Sequence, residues 1–377
     1  MSRGRLLALG GAALLAAGCQ AGPSPPAASA AVGVTQVRCA NGTGDADLLN
    51  TAIRDSPPGA DIAITGTCSL TEPVELRGGR SYHGPGRDGA VLRQADGANL
   101  PFLLASDSFV DSAESTGRPV TLRGLSIDGN RDGNPDATTD GVVIRSWQTT
   151  LEDLRIQDVT GSAVRITNLG RSGEPTSSTQ VNGRIANCFI EGSGASGVRV
   201  EDGGNAVTDW QLLDSWIAGS GGDAVHLENA AGWIISRNHL YGVGGDGIRA
   251  DRAHGTTVTD NYIEGFGEDG TGTFSGISLS AQSSAGSTIA GNRVFLSDGQ
   301  RPSSTYRHIH VDARGDGQAL VAVTGNVVRG DGGPGGTGLA YERGDGAELV
   351  VVSSGNALAE VATAVRAGDG VTVTAGS

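Results

Sequence analysis

Apolar and polar positions repeat in blocks along most of the chain. The segments Trp210-Gln-Leu-Leu-Asp-Ser-Trp-Ile-Ala-Gly-Ser-Gly-Gly-Asp-Ala-Val-His-Leu-Glu228 and Trp233-Ile-Ile-Ser-Arg-Asn-His-Leu-Tyr-Gly-Val-Gly-Gly-Asp-Gly-Ile-Arg-Ala-Asp251 superpose at an offset of 23. The pattern continues from Thr256, and further copies begin near Val120, Leu151, Val181, Ser287, Ala319 and Glu348, nine in all, some lengthened by insertions. Each copy holds three short apolar/polar alternations separated by Gly-, Asn- or Asp-rich corners. Such alternation is a strand signal, and the repeat carries no helical period. A strand triplet cannot bury its apolar face alone, but coils stacked about 4.8 Å apart share one continuous core. The pattern therefore predicts an all-β, single-stranded parallel β-helix of about eleven coils. Its right hand is expected from the preferred hand of parallel crossovers.

One column of the repeat supports stacking independently. Asn238, Asn261, Asn292, Asn326 and Asn356 fall at the same corner of successive copies, preceded there by Ser215 and Cys188. Asparagine tolerates left-handed backbone, and its amide can bond to its equivalent one coil away. Upstream of the repeats, Asp45-Ala-Asp-Leu-Leu-Asn-Thr-Ala-Ile-Arg54 reads as a short amphipathic helix. Ala60–Thr65, Pro73–Arg77 and Gly84–Leu92 then read as the first coils. With these features, roughly residues 36 to 377 resemble the pectate-lyase-like right-handed β-helix superfamily. The resemblance implies the fold and a capping helix. It leaves activity open, because the superfamily holds lyases, hydrolases, epimerases and proteins without known catalysis.

Composition narrows the chemistry. Glycine contributes 62 of 377 residues without a G-X-Y period, which fits many tight corners and excludes collagen. All 27 basic residues are Arg, so Schiff-base chemistry and a lysine base are excluded. A net charge of −14 argues against a nucleic-acid partner. Met1-Ser-Arg-Gly-Arg5 followed by the apolar run Leu6–Ala17 reads as a secretory leader too short to span a membrane. Leu15-Ala-Ala-Gly-Cys19 resembles the lipobox of bacterial lipoproteins, which implies lipidation at Cys19 and anchoring on the outer face of the bacterial membrane. The expected organisation is a leader over 1–19, a flexible tether over 20–35, an N-terminal cap with first coils over 36–119, and repeats over 120–377. Membrane contact is expected only through the lipid, and the chain is expected to be a monomer. Export permits disulfides; Cys39 and Cys68 flank the predicted helix and are expected to pair, leaving Cys188 as a buried free thiol.

Aligned copies convert into a surface map, because outward positions of equivalent strands form rows. After the Gly-Gly-Asp corner the first row is Asp140, Ser162, Ser196, Asp223, Asp246, Ser275, Arg307. The central row is Val143, Arg165, Arg199, His226, Arg249, Ser278, His310. The third is Arg145, Thr167, Glu201, Glu228, Asp251, Ser280, Asp312. This density of titratable groups on neighbouring rungs resembles an active site. One reading is a solvated face whose unlike charges pair across rungs. The other is a groove for an acidic polysaccharide, bound by Arg165, Arg199, Glu228, Asp251, His310 and Asp312. In that groove Asp223 and Asp246 form an acid/base pair or share a cation, and His226 or Arg249 abstracts a proton or stabilises charge.

Against polygalacturonase-like relatives, Thr139-Asp140-Gly141 and Gly222-Asp223 are three coils apart and no Gly-His-Gly occurs, so that hydrolase set is not recognisable. An arginine-base, calcium-dependent lyase is compatible with the composition. Asp128, Asn130, Asp132 and Asp136 have the alternating oxygen spacing of a calcium loop, although Thr139 stands where its closing Glu belongs. A plain polar turn is the competing reading. Trp216, His239, Tyr241, Tyr262 and Phe295 follow the Asn column outward. Such a row can stack on sugars, but packing beneath the insertions at 128–140, 267–275 and 297–307 is the favoured expectation. Two functions emerge: a lyase or hydrolase acting on an acidic glycan, or a non-catalytic scaffold or adhesin binding glycan or protein.

Overall fold

The computed structural model describes residues 33–376 except 177, 270, 284, 297–302, 345 and 346. The leader, Cys19 and most of the tether lie outside the described residues. From Val34 onward the chain winds through three faces per coil, and every paired strand of the coil runs parallel to its neighbours. Gln211–Leu213, Ile234–Ser236 and Thr257–Thr259 stack on the first face. Trp216–Ala218, His239–Tyr241 and Tyr262–Glu264 stack on the second. Val225–Leu227, Ile248–Ala253 and Thr273–Ala281 stack on the third, an 11-stranded sheet. The ten-residue strand Asp61–Leu70 bends through the first two faces and joins them into one sheet.

Inward positions form one continuous core in register: Leu212, Ile235, Val258 and Ile289 under the first face, and Leu227, Ala250 and Leu279 under the third. The N-terminal end of the core is closed by helix α1 (Asp45–Asp55), whose Ala46, Leu49 and Ile53 are buried against the first coils. Cys39 and Cys68 are joined in a disulfide beside that helix, with Cα atoms 4.8 Å apart. Cys188 is free and buried, and burial pushes its thiol up to about 11.

The asparagine column is a hydrogen-bonded ladder. The Oδ1 of Asn261 accepts both the backbone N–H and the side-chain Nδ2–H of Asn238 at 3.0 Å, and Asn292 does the same for Asn261. Asn326 and Asn356 extend the chain of bonds, and Asn238 Oδ1 accepts the N–H of Ser215. The left-handed residue of this corner is not the asparagine. It is the residue just before: Asn187, Asp214, Arg237 and Asp260 at φ 51 to 57°, then Gly291, Gly325 and Gly355 at φ 65 to 68°. The turn is thus made one position early, which frees each asparagine to point inward.

Candidate functional site

The strands of the third face hold the outward rows in the predicted order. Val143, Arg165, Arg199, His226, Arg249, Ser278 and His310 are successive partners along the central row, which Ala340 and Arg366 continue. At its N-terminal end this face is covered rather than open. Helix α2 (Asp107–Val110) lays Phe109 over Phe102, Ala105 and Val143, all buried. Arg145 is only 2% exposed and donates to the carbonyls of Ser108 and Ala113. The outward row therefore starts as an exposed surface only at Arg165, whose guanidinium lies 5.7 Å from the Phe109 ring.

From there two arrangements follow one another. Arg165 bonds to Glu201 at 2.6 Å and Asp140 at 3.3 Å, while Arg199 bridges Glu201 at 3.1 Å and Glu228 at 3.4 Å. These two arginines thus pair with carboxylates across neighbouring rungs, the first of the two arrangements weighed from the sequence. Beyond them lie the four residues of the candidate catalytic set. His226 Nδ1 sits 3.3 Å from Asp223, its Nε2 3.9 Å from Asp251, and Arg249 Nε donates to Asp251 at 3.1 Å. Among the described residues Arg249 has one carboxylate, Asp251, within ion-pair distance, and it is open to solvent, so it is well placed for an anionic ligand.

Burial sets the charges of this group. Asp246 is pushed up to about 7, first by burial and then by the neighbouring Asp223 charge. Asp223 is itself raised by burial, although the Asp246 N–H and His226 oppose the shift. Burial lowers His226, with Asp223 pulling the other way. Near neutral pH the site thus holds an imidazole able to accept a proton and a carboxylic acid able to give one, one rung apart.

The next coils carry a second cluster. Ser278 Oγ lies 3.1 Å from His310 Nδ1, and His310 Nε2 lies 3.2 Å from Glu342. Arg307 and Arg366 also bond to Glu342. Asp312 is buried, accepting from Ser280 and from Arg314 at 2.9 Å. Glu342 escaped the sequence reading, which stopped the third row at Asp312; continuing Ser280 and Asp312 by one copy would have found it.

The calcium-loop residues are occupied otherwise. Asp128 accepts the N–H of Asn130 and faces Arg93 at 3.6 Å. Asn130, in left-handed backbone, accepts from Arg93 at 2.7 Å and donates to Asp96 and to the Gln94 carbonyl. Asp132 lies in the 3-10 turn Arg131–Gly133, and Asp136 follows in the same loop. With a guanidinium on its central ligand, this donor set does not fit a cation. Among the described residues no group of three or more His, Cys, Asp or Glu is arranged to hold a metal.

The aromatic row forms a ladder on the second face: Phe189, Trp216, His239, Tyr262 and Phe295 contact successively, with ring centroids 4.6 to 5.8 Å apart. Trp216 is 41% and Tyr241 42% exposed, while His239, Tyr262 and Phe295 are half-buried. Each ring rests on its neighbours along the stack, which buries part of its apolar surface.

Known structures share the architecture. A mannuronan C-5 epimerase A-module of Azotobacter vinelandii aligns over 87% of this chain and 93% of its own, with TM-score 0.58 and 16% identity. A surface adhesin of Streptococcus pneumoniae aligns over 85% and 88%, with TM-score 0.52 and 13% identity. A family 28 exopolygalacturonase of Yersinia enterocolitica aligns over 91% and 79%, with TM-score 0.51 and 9% identity. At these identities the likeness is one of fold. No curated protein sequence matches the chain. Residues 140–354 match the family model described as right handed beta helix region. That match spans more than half of the chain, which therefore belongs to the right-handed β-helix family.

Proposed function

We propose that this protein binds an acidic polysaccharide along the third face and cleaves it by β-elimination. The observation that carries this reading is geometric: Asp223 and Asp246 on adjacent rungs, His226 Nδ1 3.3 Å from Asp223, and the open guanidinium of Arg249 beside them, with burial pushing Asp246 up to about 7 and His226 down. In a polyuronate, Arg249 pairs with the sugar carboxylate and makes the adjacent C–H more acidic. His226 takes that proton, Asp246 gives its proton to the departing glycosidic oxygen, and an unsaturated sugar is left. Asp223 holds His226 through Nδ1 and so orients the base. Relatives in fold that are described as an epimerase and an exopolygalacturonase support a carbohydrate ligand. The leader and the Cys19 lipobox support export and anchoring at the cell surface.

A second reading is favoured by the row Arg165, Glu201, Arg199, Glu228. This chain of matched pairs is what a non-catalytic glycan-binding scaffold would present, and one structural relative is a surface adhesin. Incubation of the purified protein with pectate, alginate and glycosaminoglycans, following both the absorbance of unsaturated sugars and reducing ends, separates the readings. Unsaturated product supports elimination, reducing ends alone indicate a hydrolase, and binding with neither supports the scaffold.

A further inference from the structure

The second cluster has chemistry that elimination does not use. We propose that Ser278, His310 and Glu342 form a serine-nucleophile relay that hydrolyses acyl esters, with an O-acylated sugar as substrate. The geometry is a continuous hydrogen-bond chain across three consecutive rungs: Ser278 Oγ to His310 Nδ1 at 3.1 Å, and His310 Nε2 to Glu342 at 3.2 Å. The carboxylate of Glu342 can only accept, so Nε2 carries the ring hydrogen and Nδ1 turns its lone pair to the Ser278 hydroxyl. That is the tautomer a general base needs. His308 on the same strand provides the contrast. It lies in the interior with Nδ1 against the Thr337 carbonyl, and among the described residues no hydroxyl or thiol bonds to either nitrogen.

The surroundings fit an acyl group. In the central row Ser278 is a short residue flanked in register by the longer Arg249 and His310. His310 has an 8% exposed side chain, which keeps the relay from exchanging with bulk water, while Ser278 is half-buried and reachable. Arg249 commits Nε to Asp251, and among the described residues its terminal nitrogens have no partner. One rung from Ser278, they supply positive charge for the oxyanion. Arg307 and Arg366 pin Glu342 from the other side, which makes Glu342 a positioning residue for His310.

The step balances without a co-reactant other than water. Ser278 Oγ bonds to the ester carbonyl carbon as its proton passes to His310 Nδ1. The C–O bond to the sugar then breaks, and the sugar hydroxyl leaves with that proton, so an acyl-serine remains. Water attacks the acyl-serine, gives a proton to Nδ1, and releases the carboxylic acid as Ser278 is restored.

The test needs no glycan and is independent of chain cleavage. The full chain is treated with a fluorophosphonate, digested and mapped by mass spectrometry, and p-nitrophenyl acetate hydrolysis is followed in parallel. The expected result is an adduct on Ser278, lost in Ser278→Ala, with esterase rate falling by at least about 100-fold in Ser278→Ala and His310→Gln. Glu342→Gln should lower the rate less and shift its pH profile, a change that a purely structural role would not produce. Circular dichroism checks that each variant is folded. Absence of a Ser278 adduct on the folded wild type, or an esterase rate unchanged in Ser278→Ala, overturns the proposal whatever the glycan assays return.

Discussion

Asp223 Oδ1 accepts the backbone N–H of Asp246 at 2.7 Å, and Asp246 Oδ1 accepts that of Ser275 at 2.6 Å. The Gly-Gly-Asp corner thus uses each carboxylate to bond the next coil. The same stacking sets two half-buried acids one rung apart, so the structural bond and the perturbed acidity have one origin. Ionising both costs desolvation and mutual repulsion, and Asp246 keeps its proton up to about pH 7.

Stability should therefore depend on pH through Asp246. Its folded pKa of about 7 lies above the unfolded value of about 3.9, so the folded protein binds more protons between those limits. The stabilisation from this group is complete below about pH 4 and is lost as pH rises through 7. Asp246→Asn keeps an acceptor for the Ser275 N–H and removes the charge. Urea unfolding at pH 4 should leave wild type and variant alike, while the variant should gain progressively as pH rises toward 7 and by about 1–4 kcal/mol at pH 8. A variant that loses more stability at pH 8 than at pH 4 would contradict this account of the site.

The ladder makes a graded prediction. Asn261→Ala strips the acceptor from the buried N–H and Nδ2–H of Asn238, and should cost about 2–4 kcal/mol in urea unfolding. Asn356→Ala, at a half-buried end of the same ladder, should cost about half as much, because water can replace the lost acceptor for Asn326.

The Cys39–Cys68 bond closes a loop of sequence separation 29 around α1. Replacing both cysteines by Ser should cost about 3 kcal/mol. Hydrogen exchange should show loosening confined to Val34–Arg38 and α1. In the native protein Cys188 should not react with thiol reagents, since it is 3% exposed and its pKa is raised to about 11.

The coil and its outward rows were legible because a period-2 pattern in a fixed repeat assigns a face to every residue, and the register carries the assignment from coil to coil. What escaped was whatever the repeat does not encode. Residues 107–119 carry no repeat signal, so nothing announced that α2 would bury Val143 and Arg145. Cross-rung pairing on this face was one of the two readings, but which carboxylates Arg165 and Arg199 take depends on side-chain reach, which a row map omits. Asn130 offered calcium spacing, but Arg93 reaches it from a coil whose position the loop's own sequence does not specify.

The central claim is tested most directly by following unsaturated product from pectate, alginate and glycosaminoglycans with wild type, His226→Ala, Arg249→Ala and Asp246→Asn, all shown to be folded. The account predicts unsaturated product from at least one acidic glycan and a loss of at least about 100-fold in His226→Ala and Arg249→Ala. In Asp246→Asn, which cannot donate the proton, the rate should also fall. Folded wild type that yields no unsaturated product on any of them, or product formation indifferent to His226 and Arg249, would contradict it.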